Sequence, residues 1–433
     1  MTTSFLHGVE VLELDTGIRP IRTVRSGVIG LIGTAPQADA TVFPLNTPVL
    51  VAGNRVLAQK LGSTGTLRPA IDGIFDQIGA TVVVVRVDEG ADEDATISNV
   101  VGTATGYTGV HAFMAAESAV GFSPKILIAP GYTHQRTEDS QNPGTYLLNP
   151  VVAELLGLAS NNTSGLGERL RAIVVADGPN TDDTAAIAYS ADHSSDRLFV
   201  VDPWMKVLSG TSYVNQPPSA RVAGLIAKSD AERGFWWSPS NQTISGIAGV
   251  SRPVPFGLGD INSAANLLNE NDVATIIREN GFRLWGNRTT GIDPKFAFLS
   301  VRRTADMVNE SLLRAHLWAV DRCINRTYLQ DVRESVNEYL RSLTARGAIL
   351  GGECWVDPDV NTSTTIAAGQ AIFDFDFTPC TPAERVTFRS VLTNGYLEEL
   401  LVDGENTVEE SDDTQNAQQQ QDAASDDSDD TDD

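Results

Sequence analysis

Four short runs contain almost nothing polar: Thr81–Val87 (TVVVVRV), Lys125–Pro130 (KILIAP), Ala172–Asp177 (AIVVAD) and Leu198–Asp202 (LFVVD). A strand with one wet face alternates apolar and polar residues. A run apolar on both faces must be covered on both sides. Between and around these runs lie helix-periodic stretches at Arg68–Ile78, Pro150–Leu158, Asp182–Ser190 and Ser219–Arg233. Buried strands alternating with helices predict an α/β layer built on a largely parallel sheet. Ser26–Thr34 (SGVIGLIGT) reads as a further apolar strand. Its glycines follow GxxGxxG, not the GxGxxG of a dinucleotide loop, and GxxxxGK[ST] occurs nowhere. Close packing of the strand against its neighbours explains them better.

Sheets of this class carry ligands at strand C-termini, where Asp177 and Asp202 stand before Gly178-Pro179 and Pro203. Turn and cap chemistry accounts for both carboxylates. Asp177–Asp182 resembles the start of a calcium loop but lacks the downstream Glu. Asp88–Asp94 and Thr133–Pro143 read as exposed loops, and Trp236-Trp237 as packing between domains rather than a sugar platform. The five histidines, His7, His111, His134, His193 and His316, are scattered, and HExxH, GxSxG and CxxC are absent. The sequence therefore predicts no catalytic site, no metal and no cofactor.

The chain has 433 residues, which suggests two to four domains, and a net charge of −25. Residues from Asp403 on account for −13 of it, leaving −12 for the preceding 402 residues. An acidic body argues against nucleic acid as a partner. Cys323, Cys354 and Cys380 are odd in number and not at metal spacing. No signal peptide or membrane-spanning run is apparent, so the sequence reads as a soluble chain made in a reducing cytoplasm.

The second half is differently textured. Gly281–Arg303 (GFRLWGNRTTGIDPKFAFLSVRR) predicts a strand at Phe282–Trp285, a bend at Gly286, and a short buried strand at Phe296–Val301. Met307–Gly347 is the longest helical pattern. Leu313, Leu317, Val320 and Ile324 define one apolar face, Val332, Val336, Leu340 and Leu343 another, with a break expected near Thr327–Gln330 and a cap at Gly347. This region is rich in arginine (Arg302, Arg303, Arg314, Arg322, Arg326, Arg333, Arg341 and Arg346), which fits either a solvated helix face or a surface docking an acidic partner. Ala371–Phe377 predicts a half-buried strand with Phe373, Phe375 and Phe377 on one face. Tyr396–Val402 reads as a last apolar strand, and Asp403–Asp433, without aromatics, as a disordered tail. At the other end, Phe5–Leu14 (FLHGVEVLEL) is β-rich and apolar on both faces, so it should join a sheet, its own or a neighbour's.

GFRLWGNRT followed by FAFLSVRRTADM resembles the signature of contractile phage tail sheath proteins, with the short sheaths of temperate enterobacterial myophages and R-type pyocins nearest. Gly234–Phe256, Asp260–Glu270, Gly347–Pro358, Asp374–Thr378, Gly395–Leu397 and the N-terminal FLHGVEVLELDTGIRPIRTVRSGVIGLIGTAP fit the same family in the same order, so the resemblance spans residues 4–402. It implies a multidomain α/β and α+β chain. An outer α/β domain (27–233) would be inserted into a sheath core built from residues 1–26 and 234–402, with residues 403–433 as a tail outside the family pattern. It implies stacked hexameric rings around an inner tail tube, capped by baseplate and terminator proteins, contracting to drive the tube through an envelope for genome delivery. The sites would be a virion tail and, during assembly, the host bacterial cytoplasm. Terminal arms would complete sheets in neighbouring subunits; by position these are Phe5, Val9, Val11, Leu12 and Leu14, and Tyr396, Leu397, Leu400 and Leu401. Arg314, Arg322, Arg326 and Arg333 are the candidate tube-facing residues. A sheath of a phage-like particle (a tailocin) and, from another class, an α/β ligand-binding enzyme using residues 81–202 remain the alternatives.

Overall fold

The structure, a computed structural model, describes residues 21–160 and 170–397. In chain order the strands are β1 Val28–Thr34, β2 Pro48–Ala52, β3 Thr81–Val87, β4 Ile126–Ile128, β5 Thr137–Glu138, β6 Tyr146–Leu147, β7 Ile173–Asp177 and β8 Leu198–Val201. They continue with β9 Met205–Ser209, β10 Ser212–Gln216, β11 Gly249–Val250, β12 Val273–Arg278, β13 Phe282–Trp285, β14 Ile349–Trp355 and β15 Asp374–Pro379.

Eight of these form one sheet in the order β13-β12-β8-β7-β4-β1-β3-β2. The six inner strands run parallel, and β2 and β13 close the edges antiparallel. Side-chain alternation divides each inner strand between two cores. Ile29, Leu31, Val82 and Val84 face one, with the Leu67–Phe75 and Ser219–Glu232 helices. Val28, Ile32, Val83 and Val85 face the other, with the Pro150–Ala159 and Asp183–Ala191 helices. This double coverage is why the strands carry no polar face. The glycines of β1 serve packing: a Cβ on Gly33 would lie 2.3 Å from Thr66 Oγ1, and one on Gly30 2.9 Å from the side chain of Leu127. The sheet does not stop at 233, because β12 and β13 extend it to Trp285.

A third core lies between the Leu299–Ala315 and Arg326–Ala345 helices and the two-stranded antiparallel sheet β14–β15. Phe235 is buried in it and Trp236 packs against it. Residues 21–26 also belong here. Ile21 and Val24 pack on this core, Thr23 Oγ1 lies 3.1 Å from the Tyr339 hydroxyl, and the Val24 amide donates to Ser311 Oγ.

Several expectations need correction. Phe296–Val301 is not a strand: Asp293 accepts from the Lys295 amide, Pro294–Phe296 form a 3₁₀ turn, and Leu299 begins the long helix. The helical break falls at 316–325, where His316 ends one helix and the Asn325 side chain, accepting from the Tyr328 amide, starts the next. Asp92 caps a helix at Glu93–Val101, and Thr137–Glu138 joins a small hairpin, so the predicted loops there are shorter.

The chain divides into two units, 1–382 and 383–433. In the described part of the second, 383–394 carries no helix or strand. Phe388, Val391 and Leu392 are 91%, 84% and 100% exposed. Tyr396 and Leu397 lie in a helical turn, not a strand, with the Leu397 amide donating to Asn394 O.

Candidate subunit surfaces

The Leu299–Ala315 helix places Arg302, Asp306, Glu310 and Arg314 four residues apart, and so on one face. That face meets residues at the start of the sheet strands. Arg197, just before β8, is 2% exposed and grips Asp306 through two bonds of 2.6 and 2.9 Å. Arg302 bonds both Asp306 (2.9 Å) and Asp196 (3.0 Å). Lys125, just before β4, lies 3.5 Å from Glu310, and Arg171 lies 3.6 Å from its other oxygen. Burial pushes the Lys125 ammonium below its ordinary value, with Glu310 opposing. Arg314 bonds Glu310 at 2.6 Å and pairs bidentately with Glu117, whose carboxyl it holds below the usual range. On the adjoining face Arg303 pairs with Asp230 of the Ser219–Glu232 helix at 2.5 Å. The helix is thus an ionic seam between the sheet and the third core.

Arg302, Arg303 and Arg314 are therefore committed within the chain, and Arg341 pairs with Glu334 and Glu338. Arg322, Arg326 and Arg333 are exposed. Among the described residues none of the three has a carboxylate at ion-pair distance, and Arg322 lies over the Trp318 ring at 5.0 Å. The expected apolar face of Leu313, Leu317 and Val320 is 66%, 77% and 62% exposed. The buried positions after the break are Val332, Ser335, Val336, Tyr339, Leu340 and Leu343.

In β15, Phe375 and Phe377 stack at 6.1 Å and pack on the third core. Neither β14 nor β15 has a further strand beside it among the described residues. Phe5, Val9, Val11, Leu12, Leu14, Leu400 and Leu401 lie outside the described residues.

The carboxylates at the strand ends are used up by the fold. Asp177 accepts from the Ser219 amide at the start of a helix, the Gly131 amide and the Thr133 hydroxyl. Asp202 accepts from the Asn180 amide and pairs with Arg252. Burial pushes both carboxyls above their ordinary value. Among the described residues no group of three His, Cys, Asp or Glu is placed to hold a metal ion, and no helix is long and apolar enough to cross a membrane.

Three family descriptions match in sequence order: the tail sheath protein Gp18 domain III N-terminal region over 26–87, the phage tail sheath protein central domain over 105–290, and the phage tail sheath C-terminal domain over 292–393. A prophage major tail sheath protein of Pseudomonas aeruginosa (strain UCBPP-PA14) is 41% identical over 404 residues, covering 92% of this chain and 99% of that protein. The chain belongs to the phage tail sheath protein family. The tail sheath protein of Escherichia phage P2 is 36% identical, with 92% of this chain and 98% of that protein covered. Among solved structures, the helical sheath of the anti-feeding prophage in its contracted state aligns with a TM-score of 0.64 at 19% identity, covering 90% of this chain and all of that one. The PVC sheath in its contracted state aligns with a TM-score of 0.64 at 18% identity, over 91% of this chain. Family membership makes this chain a structural sheath protein of the contractile tail rather than an enzyme. The seam joins the part matched by the central-domain description to the part matched by the C-terminal one.

Proposed function

We propose that this protein polymerises as stacked hexameric rings around an inner tail tube, and that the array shortens to drive the tube through a target envelope for genome delivery. The observation that carries this reading is the sheet β14–β15, which has no third strand among the described residues. Among the described residues the apolar side chains of Phe388, Val391 and Leu392 are left almost wholly exposed. An extended segment from one subunit adding to the sheet of another supplies both deficits. Because donor and acceptor differ, the contact is heterologous, which builds rings where its rotation closes and helices where it does not.

A strand of six residues brings roughly 4–6 backbone hydrogen bonds at a net ~1 kcal/mol each. Each buried Val, Leu or Phe adds ~1.5–3 kcal/mol. Exposed ion pairs between subunit faces contribute ~1 kcal/mol or less. Strand-borne links therefore outlast face contacts, and the array can repack while its subunits stay tethered. Work would be stored in a kinetically trapped extended lattice, without nucleotide.

The geometry refines both candidate sets. Val386–Leu392 is the better C-terminal donor, since Tyr396 and Leu397 begin a helical turn. Arg322, Arg326 and Arg333 are the tube-facing candidates, since Arg314 is held by Glu117 and Glu310. Baseplate and terminator proteins would end the array, which is assembled in the host bacterial cytoplasm. The domain reading is likewise a proposal: the sheet unit lies outside, and the third core, with residues 21–26, faces the tube.

The test is negative-stain microscopy of the purified chain with its cognate tube protein. Striated cylinders or decorated tubes are expected, and the R322E/R326E double variant should fail to coat tubes at ordinary salt. Monomers under every condition would overturn the sheath reading. Coating by the double variant would overturn the tube-facing assignment alone.

A further inference from the structure

The two edges of the β14–β15 sheet are not alike. Asn337, on the Arg326–Ala345 helix, takes both backbone groups of Cys354 in β14. The Cys354 amide donates to Asn337 Oδ1 at 2.7 Å, and Asn337 Nδ2 donates to the Cys354 carbonyl at 3.0 Å. A side-chain amide carries the donor and acceptor of a peptide group, so Asn337 stands where a further strand would pair with β14. Cys354 thus turns its backbone groups away from β15. In an antiparallel ladder its opposite residue, Phe375, turns away from β14 in the same way. Phe377, opposite Gly352, shares that orientation by alternation. The outer edge of β15 therefore presents the amides and carbonyls of Phe375 and Phe377. Among the described residues no strand pairs with them and no side chain clasps them.

The two faces of β15 differ as well. Phe375 and Phe377 pack on the third core, while Asp374 and Asp376 alternate onto the other face, where Asp376 is exposed. Residues 385–392 (RVTFRSVL) carry the matching pattern. Extended, they put Val386, Phe388, Ser390 and Leu392 on one face and Arg385, Thr387, Arg389 and Val391 on the other. Val386, Phe388 and Leu392 are 68%, 91% and 100% exposed, and both arginines are exposed. Laid along β15 with Thr387 opposite Asp376, this segment sets Val386 and Phe388 beside Phe375 and Phe377, over the third core. Arg385 and Arg389 then flank the Asp376 carboxylate diagonally, within reach of long side chains, whichever way the strand runs.

We propose that residues 385–392 of a second copy pair with β15 and not with β14, and that Asn337 enforces this choice by closing the β14 edge. The choice of edge rests on the strand addition proposed above. Asn337 is a positioning residue: it touches no partner, and it sets which edge is offered. One edge closed and one open gives the incoming strand a single site, where a sheet with two open edges would accept it in either of two places.

Disulfide trapping tests the edge. In the full-length chain carrying C323S and C380S the remaining thiol, Cys354, is buried, and burial pushes it up to about 11, so it stays unreactive at neutral pH. Two pairs are added to this background: D376C/T387C for the β15 edge, and E353C/T387C for the equivalent place on β14. Polymer grown from mixed ordinary and ¹⁵N-labelled subunits is oxidised with copper phenanthroline. Links of mixed isotope are expected for the first pair and not for the second, and adding N337A to the second should produce them. Links at position 353 with Asn337 intact overturn the proposal, and so does their absence after N337A. Amide hydrogen exchange of the chain without added cysteines gives a reading that needs no engineered pair. In free subunits the Cys354 amide should exchange slowly and those of Phe375 and Phe377 fast, and N337A should speed Cys354 about tenfold; an unchanged rate overturns the clasp. On polymerisation Phe375 and Phe377 should become protected. Protection gained at Gly352 instead overturns the choice of edge and leaves strand addition standing. Protection gained at neither edge overturns strand addition itself, and this proposal with it.

Discussion

At the residue scale, Asp306 decides whether the seam holds. It accepts from Arg197 and Arg302 and is 1% exposed, and its removal takes away both bonds that Arg197 makes to it and one of the two ion pairs of Arg302. Breaking a buried pair from one side costs about 3–5 kcal/mol. Asp306→Ala should therefore destabilise the subunit by that amount in denaturant unfolding; a loss below about 1 kcal/mol would show the seam to be unimportant. Some of this was open to reading. The i+4 spacing of Arg302, Asp306, Glu310 and Arg314 marks one helix face, and Asp177 before Gly-Pro pointed to the capping role it has. That Arg197 and Lys125 face that helix was not readable, because they are 109 and 185 residues from their partners.

At the element scale, the apolar strands were read correctly because the runs are short, rich in Val and Ile, and alternate with helix-periodic stretches. The run Phe296–Val301 was misread because a short apolar stretch suits a buried strand and a helix start equally. What arbitrated was Asp293 capping the turn ahead of it. The apolar face of Leu313, Leu317 and Val320 has helical spacing, yet spacing cannot say whether a partner exists inside the chain. The same holds for 386–392, where Val386, Phe388, Val391 and Leu392 are exposed. Phe388→Asp should leave the unfolding free energy of the subunit within about 0.5 kcal/mol, as expected of an exposed position. The same substitution should lower the yield of polymer in sedimentation. Undiminished polymer would show that this segment is not a donor.

At the scale of the whole molecule, charge sets how readily copies approach. Residues 403–433 carry 13 acids and no base. Like-charge repulsion between such segments should slow polymerisation at low salt and fade as the Debye length falls to ~8 Å near physiological ionic strength. Deleting 403–433 is expected to speed assembly, followed by light scattering, and to flatten its salt dependence; no change in either would remove the tail from the account.

The sequence by itself determined the fold class, the parallel sheet and the family, since these depend on local periodicity and on motifs contiguous along the chain. Only the tertiary structure decided that the sheet runs on to Trp285. It alone showed that, among the described residues, Arg302, Arg303 and Arg314 are spent on internal ion pairs while Arg322, Arg326 and Arg333 are not, and that β14–β15 has no further strand beside it. Those outcomes depend on which distant groups meet, and a one-dimensional pattern of side chains carries no information about which of its apolar or charged faces will find a partner within the same chain.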